Sequence, residues 1–103
     1  MSDFVTVAKT SDVPDPGRVI VEVDETLVVL IQAGGQYYAI DDVCTHDGGP
    51  LGEGELAGYT IACPRHGAKF DVRDGRPLCA PATQPLRSYP VKVEGSRVFV
   101  QIG

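Results

Sequence analysis

The alternation of apolar and polar residues along the chain predicts a protein built from short β-strands. Apolar residues recur at every second position in most segments, and no window shows the three-and-four spacing of an amphipathic helix. Val, Ile, Thr and Tyr, which favour strands, dominate these segments. The predicted strands are Phe4–Lys9, Arg18–Val23, Thr26–Gln32, Tyr37–Asp41, Glu55–Cys63, Ala68–Val72, Tyr89–Glu94 and Arg97–Ile102.

Short turn sequences and one Pro-rich segment separate these strands. Ala33–Gln36 and Gly95-Ser96 are typical of hairpin turns, because glycine tolerates the positive φ that tight hairpins require. Prolines then recur from Pro77 to Pro90. Because proline fixes φ and lacks an amide donor, we expect this segment to be a stiff loop rather than a strand.

These patterns predict one all-β domain over residues 1–103, a sandwich or small barrel of antiparallel sheets. Residues 1–42 and 83–103 form its β base. Residues from about 43 to 82 form a loop-rich unit inserted into that base. Seven of the twelve glycines, both histidines and two of the three cysteines lie between Cys44 and Gly75, so we expect the chemistry there.

Composition narrows the class of protein. A hydrophobic content of 43% with 22% charged residues is ordinary for a folded domain, and a formal net charge of −5 argues against a nucleic-acid partner. The longest apolar run, Leu27–Ile31, is too short to span a membrane, and the N-terminus does not resemble a signal peptide. Three cysteines cannot all form disulfides with one another, which favours a reducing cytoplasm.

Each of the two histidines lies close to a cysteine. Cys44-Thr45-His46 has the pattern C-x-H, and Cys63-Pro64-Arg65-His66 has the pattern C-x-x-H, with sixteen residues between His46 and Cys63. Both motifs fall in turn-forming sequence directly after β-rich segments. The chain therefore predicts two loops that each present one thiolate and one imidazole, the ligand types that suit iron–sulfur and zinc sites.

Two metal chemistries fit a set of two cysteines and two histidines. Zinc fingers pair like with like, two cysteines followed by two histidines, whereas here the types alternate. In a [2Fe–2S] centre of the Rieske type, two histidines replace two cysteines on one iron, and alternation across two loops serves that arrangement. We therefore favour the mixed-ligand cluster, with a structural zinc site and a chance placement of these residues as alternatives.

The chain resembles the Rieske-type ferredoxins, particularly the ferredoxin components of bacterial ring-hydroxylating dioxygenase systems. The resemblance covers nearly the whole chain. It rests on Cys44-Thr45-His46, Cys63-Pro64-Arg65-His66-Gly67, Phe70-Asp71 and the later Pro81, Pro85-Leu86 and Tyr89-Pro90-Val91. It implies three small antiparallel sheets and one Rieske [2Fe–2S] cluster held by Cys44, His46, Cys63 and His66, with the Pro-rich segment packed beside the cluster.

The function that this resemblance implies is single-electron transfer. The expected partners are a flavin-dependent reductase and a terminal oxygenase, both bound transiently by a monomeric carrier. No further histidine is present to build a mononuclear iron site, so we expect no substrate chemistry. The alternative is a non-catalytic small subunit of a larger redox enzyme such as a nitrite reductase; a redox sensor would need an effector site that we do not see.

Four positions depart from the pattern of the high-potential respiratory Rieske proteins. Gly49 and Arg65 stand where those proteins have a second pair of cysteines joined in a disulfide, and Ala68 and Phe70 stand where they have Ser and Tyr. Hydroxyl donors to sulfur stabilise the reduced cluster, so their loss lowers the potential. We expect a potential near the bottom of the Rieske range of about −150 to +300 mV.

The remaining polar and sulfur-bearing residues support weaker interpretations. Basic residues concentrate after the second motif and acidic residues around the first, which could orient docking partners, although a solvated surface is the favoured interpretation. They are Arg65, Lys69, Arg73 and Arg76, and Asp41, Asp42, Asp47, Glu53 and Glu55. Cys79 is interpreted as a small buried hydrophobe rather than a fifth ligand.

Overall fold

The structure of the chain, a computed structural model, describes residues 4–42, 54–63, 68–79 and 85–101. Within these ranges the chain forms eleven strands and one short 3-10 helix, Thr10–Asp12, after the first strand. The strands are β1 Phe4–Lys9, β2 Gly17–Val23, β3 Thr26–Ala33, β4 Gln36–Asp41, β5 Leu56–Ala57, β6 Thr60–Ala62, β7 Lys69–Asp71, β8 Pro77–Cys79, β9 Ser88–Tyr89, β10 Val91–Glu94 and β11 Arg97–Gln101.

These strands assemble into three small antiparallel sheets, as the family resemblance implies. The first sheet has the order β1-β11-β10, the second β2-β3-β4-β9 and the third β5-β6-β7-β8. The first two sheets are built entirely from strands near the two chain ends, and the third is built from the middle of the chain. An all-β architecture is therefore confirmed.

Strand β3 is buried on both faces and contributes to both hydrophobic clusters of the molecule. Its side chains at 28, 29, 30 and 31 are fully inaccessible to solvent. Val29 and Ile31 pack with residues of the third sheet, whereas Val28 and Leu30 pack with residues of the first. A strand covered on both faces loses the alternation of a half-exposed strand, which explains the uninterrupted apolar run in the sequence.

The prediction of a single strand over Glu55–Cys63 is wrong. The structure has two strands there, β5 and β6, which pair Leu56 with Ile61 and Ala57 with Thr60. The turn between them contains Gly58 at φ +59°, a left-handed conformation that glycine adopts without steric cost. The turn reverses the chain and directs the following strand toward Cys63.

The prediction of a strand-free Pro-rich segment is also wrong. Pro77 is the first residue of β8, and β8 is the outermost strand of its sheet, where a missing amide donor is tolerated. Residues 88–89 form β9 at the edge of the second sheet. Pro90 then separates β9 from β10, so the predicted strand Tyr89–Glu94 is two strands.

The predicted hairpin turns are confirmed. Gly34 and Gly35 join β3 to β4 with φ of 62° and 80°, which fits the two-residue hairpin geometry that favours positive φ. In the described part of the chain, no helix is long and apolar enough to cross a membrane.

Candidate metal centre

Cys63 lies immediately after β6, the strand that pairs antiparallel with β7. Its amide donates a hydrogen bond to the Ala68 carbonyl oxygen at 2.6 Å, one residue beyond the pairing of Ala62 with Lys69. This bond fixes the two flanks of residues 64–67, the segment that contains His66 in the sequence. Cys63 is a free cysteine, and only 2% of its surface is exposed.

The surroundings of Cys63 are apolar. Ala68 and Phe70 are fully buried beside it in one hydrophobic cluster, together with Ile61 and Leu86. None of the buried members of this cluster carries a hydroxyl group. Ala68 and Phe70, the two positions that the sequence predicts to lack a donor to sulfur, therefore belong to the same buried cluster as Cys63.

The other three predicted ligands, Cys44, His46 and His66, lie outside the described residues, as do Gly49 and Arg65. Within the described ranges, no group of three or more His, Cys, Asp or Glu side chains is arranged to hold a metal ion. The structure therefore locates one member of the predicted ligand set and leaves the set of four as a prediction. Cys79 lies in β8, and its side chain is not described.

A buried carboxylate stabilises the opposite end of the same hairpin. Asp71, at the end of β7, is only 3% exposed, and its carboxylate accepts hydrogen bonds from Arg73 Nε at 3.0 Å and Arg73 Nη2 at 2.8 Å. It also accepts from the Arg73 amide at 2.9 Å and lies 3.4 Å from Arg76 Nη2. The Arg73 side chain is the main reason that the pKa of Asp71 lies below its ordinary value, although burial acts in the opposite direction.

Arg73 continues this network toward the base. Its guanidinium carbon lies 4.5 Å from the centroid of the Tyr59 ring, and the Tyr59 ring meets the Tyr38 ring edge-on at 6.2 Å. Tyr38 belongs to β4 of the second sheet, whereas Tyr59 belongs to the turn between β5 and β6. Cation–π and edge-to-face contacts therefore connect the third sheet to the second.

Sequence reasoning did not predict this network. The sequence pattern groups Arg73 and Arg76 with the other basic residues as a solvated or docking surface, whereas the structure pairs both with Asp71. An aspartate two residues before an arginine in a turn was the signal available, since such a side chain can accept from the backbone two residues on.

The chain leaving the Pro-rich segment is bonded to both sheets beside it. The Leu86 amide donates to the Gly75 carbonyl oxygen at 2.8 Å, and the Asp41 amide donates to the Arg87 carbonyl oxygen at 3.0 Å. The Tyr89 hydroxyl also donates to Oδ1 of Asp41. Burial, together with the Asp41 carboxylate, raises the pKa of Tyr89 to about 12.

A side chain at Gly75 would prevent this approach. A Cβ atom there would lie 2.2 Å from the Leu86 carbonyl oxygen, and the residue has φ of +80°. Glycine is therefore required at this position by both space and conformation.

Comparison with known proteins identifies the family. The model of the Rieske [2Fe–2S] domain matches residues 3–90. The chain belongs to this family. The matched range includes Cys63, Ala68 and Phe70.

Individual relatives place the chain more closely within the family. It is 41% identical over 91 residues to the ferredoxin component of the naphthalene 1,2-dioxygenase system of Pseudomonas aeruginosa, covering 88% of each chain. The ferredoxin of carbazole 1,9a-dioxygenase from Nocardioides aromaticivorans IC177 superimposes with a TM-score of 0.90 at 32% identity, covering 94% of this chain and 95% of that one. A chain in a complex of reduced oxygenase and oxidized ferredoxin in carbazole 1,9a-dioxygenase superimposes with a TM-score of 0.89 at 35% identity, covering 95% and 92%.

The described residues fit the cofactor of this family. A free, buried thiol beside an apolar cluster provides the soft ligand that an iron–sulfur centre requires. The protein is a Rieske ferredoxin that carries a [2Fe–2S] cluster, and its relatives are electron-transfer components of dioxygenase systems rather than catalytic subunits. The structural zinc site is therefore not retained as an interpretation.

Proposed function

We propose that this ferredoxin accepts single electrons from a flavin-dependent reductase and delivers them to a terminal oxygenase that hydroxylates an aromatic ring. Its cluster would be held by the thiolates of Cys44 and Cys63 on one iron and by the imidazoles of His46 and His66 on the other. When bound, the cluster supplies one-electron redox chemistry. The chain's own residues hold it, exclude water from it and set its potential.

The observation that carries this proposal is the position of Cys63. Its thiol is free and buried directly after β6, within a domain that matches the Rieske [2Fe–2S] family. A cysteine serving only as a core residue would not need a second cysteine and two histidines at the matching motif spacing in the sequence.

The apolar character of the Cys63 surroundings supports a low reduction potential. Ala68 and Phe70 are fully buried in the same cluster as Cys63 and cannot donate a hydrogen bond from a side-chain hydroxyl. A reduced cluster without such donors is less stabilised, which suits an acceptor of electrons from a flavoprotein.

The sheet topology supports the proposed division into a base and an inserted unit. The third sheet uses only strands between residues 56 and 79, inside the proposed cluster-binding unit of about residues 43–82. The first and second sheets use only strands before residue 42 and after residue 87, which are the two parts of the proposed base. The 1–103 domain would therefore bind its cluster at one end of a preformed β scaffold.

The solved complex of a related ferredoxin with its oxygenase supports the proposed acceptor. We expect both partners to bind transiently, because electron-transfer encounters bury little surface. We also expect a monomer in the cytoplasm, because three cysteines cannot all pair in disulfides with one another. The net charge of −5 argues against a nucleic-acid partner.

The test is an anaerobic redox titration of the purified protein, followed by EPR and visible absorption. We expect a reduced rhombic Rieske signal and a potential near the low end of the family range of about −150 to +300 mV. A colourless protein that iron and sulfide do not reconstitute would contradict the ligand set. A Rieske signal at strongly positive potential would contradict the explanation based on Ala68 and Phe70.

Two cysteine variants provide a matched control. Cys63→Ser removes a proposed ligand, so we expect loss of the visible spectrum and of the EPR signal. Cys79→Ser changes the one cysteine outside the proposed set, so we expect cluster content and EPR line shape to stay as in the unsubstituted protein. Loss of the cluster in both variants would show that Cys79 takes part in binding it.

A further inference from the structure

The segment Leu86–Tyr89 connects the two regions that carry the ligand loops. On one side, the Leu86 amide donates to the carbonyl oxygen of Gly75, in the turn that follows β7. On the other side, the Arg87 carbonyl oxygen accepts from the amide of Asp41, the last residue of β4. The end of β4 and the hairpin of Cys63 are thus joined through one short piece of chain.

Asp41 is held at this segment by its side chain as well as by its backbone. The Tyr89 hydroxyl donates to Oδ1 of Asp41, and Tyr89 itself is only 7% exposed. The Arg87 guanidinium carbon lies over the Tyr89 ring, 5.1 Å from its centroid. A hydrogen bond from a buried donor to a carboxylate is stronger than one between neutral groups.

Asp41 lies three residues before Cys44 in the sequence, so it marks the point where the first ligand loop leaves the sheet. A cluster bridging two loops requires the starting points of those loops to be fixed relative to each other. Mutation of the partners that orient the ligands of a metal centre typically costs about 10- to 100-fold in metal affinity or activity.

We propose that Tyr89 is a positioning residue for the cluster, acting through Asp41 to fix the start of the Cys44–His46 loop relative to the Cys63 hairpin. This inference rests on the ligand set of the proposed function and assigns a role to two residues outside that set. The phenol keeps its proton through the alkaline range, because its pKa is raised to about 12 by burial and by Asp41. The hydroxyl therefore remains a donor at neutral pH.

The decisive variant is Tyr89→Phe, which removes the hydroxyl and retains the buried ring. Its matched control is Tyr38→Phe, which retains the ring and removes a hydroxyl that donates an exposed hydrogen bond to Gln36 Oε1 at 3.2 Å. For each holoprotein we would measure the rate of iron release to a chelator, the EPR g values of the reduced cluster and the reduction potential.

We expect iron release about tenfold faster in Tyr89→Phe, as for loss of a hydrogen bond to a charged group, with shifted g values and potential. Tyr38→Phe is expected to stay within about twofold of the unsubstituted protein in release rate, since its hydrogen bond is exposed.

Variants at Asp41 test whether the two residues act as a pair. Asp41→Asn keeps an oxygen that can accept from Tyr89, so we expect it to recover part of the slow release and the original g values. Asp41→Ala should match Tyr89→Phe, and the double variant Tyr89→Phe with Asp41→Ala should add nothing further. Additive effects in the double variant would overturn the pairing.

The outcomes separate this inference from its foundation. If Tyr89→Phe matches Tyr38→Phe in release rate, g values and potential, the positioning role is wrong although the proposed function stands. A lower urea midpoint for Tyr89→Phe with unchanged release and g values would also overturn it, because the residue would then stabilise only the base. Absence of a Rieske signal from the unsubstituted protein would instead refute the proposed function.

Discussion

Strand length differs between the proposed β base, formed by the first and second sheets, and the proposed cluster-binding unit, formed by the third. Apart from β9, the strands of the base are four to eight residues long, and their buried positions follow from the apolar pattern of each strand. The strands of the cluster-binding unit are only two or three residues long. Strands this short do not form a stable sheet by themselves, so the unit depends on contacts from outside it.

Two kinds of contact compensate for these short strands. The first is the face of the second sheet formed by Val29, Ile31 and Ile40, on which Ile61 and Phe70 pack. The second is the Asp71 carboxylate, which holds Arg73 and Arg76 at the end of the hairpin away from Cys63. The bound cluster would supply a third constraint at the opposite end. The base therefore acts as the scaffold. The unit is stabilised by the face of the second sheet, by the Asp71 network at one end of the hairpin and, in the proposed function, by the cluster at the other end.

The largest effect expected from this difference is a selective loss of order on cluster removal. With the iron chelated, amides of β6 and β7 should exchange hydrogen at least about a hundredfold faster, as for loss of a ligand present at a hundred times its dissociation constant. Amides of β3, buried on both faces, should keep their protection. Hydrogen exchange with mass spectrometry on the holoprotein and chelated protein measures both. Equal loss in β3 would contradict an independent base.

The next effect is on the free energy of unfolding. Asp71→Ala should destabilise the protein by about 2 kcal/mol, because it removes the buried acceptor of the charged hydrogen bonds from Arg73, whose half-exposed guanidinium is then left to solvent. Asp74→Ala is the control: Asp74 is exposed and accepts only from the Arg76 amide at 2.9 Å in the described contacts, so we expect a loss of about 1 kcal/mol or less. Urea unfolding followed by circular dichroism compares them. Equal losses would mean that the ion-pair network adds nothing to the hairpin.

The third expected effect is on the reduction potential of the cluster, and it comes from substitutions near Cys63. Ala68→Ser with Phe70→Tyr introduces two hydroxyl donors into the buried cluster next to Cys63. If each donor stabilises the reduced state by about 1 kcal/mol, the potential should rise by about 80 mV. Protein-film voltammetry measures the change. Ala33→Ser is the control. Ala33 belongs to the same core cluster but lies on the second sheet, so this variant adds a hydroxyl to the core outside the hairpin that contains Cys63.

A double variant with an unchanged potential would refute the assignment of the low potential to these positions. A similar rise in Ala33→Ser would show that general polarity of the core, rather than a donor near sulfur, sets the value. In either case the cluster itself would remain assigned by its EPR signal.

The base could be predicted from sequence more completely than the cluster-binding unit, for a physical reason. The strands β1, β3 and β11 carry enough alternating or continuous apolar residues for their pattern to decide their conformation. The two-residue strand β5 has no such pattern, and its pairing depends on the turn at Gly58. Pro77 begins a strand because β7 is available beside it, which no local propensity could indicate.

The candidate site shows the same division. Motif spacing singles out Cys63, because cysteine and histidine are scarce and their chemistry is specific. Motif spacing does not predict the side-chain partners of Asp71 and of Tyr89. Asp41 and Tyr89 are 48 residues apart, and their contact arises only when β9 pairs with β4.

The smallest effect expected is a pH dependence that belongs to the unit alone. Because its pKa is lowered in the folded state, Asp71 binds protons more weakly there than in the unfolded chain. Its contribution to stability is therefore complete above the unfolded pKa of about 3.9 and is lost as the pH falls through the folded value. The unfolding free energies of the unsubstituted protein and Asp71→Asn should differ at pH 7 and converge in acid. Measuring the two side by side cancels acid loss of the cluster, which both share. A difference that stays constant down to pH 3 would show that Asp71 stabilises the hairpin through packing and not through its charge.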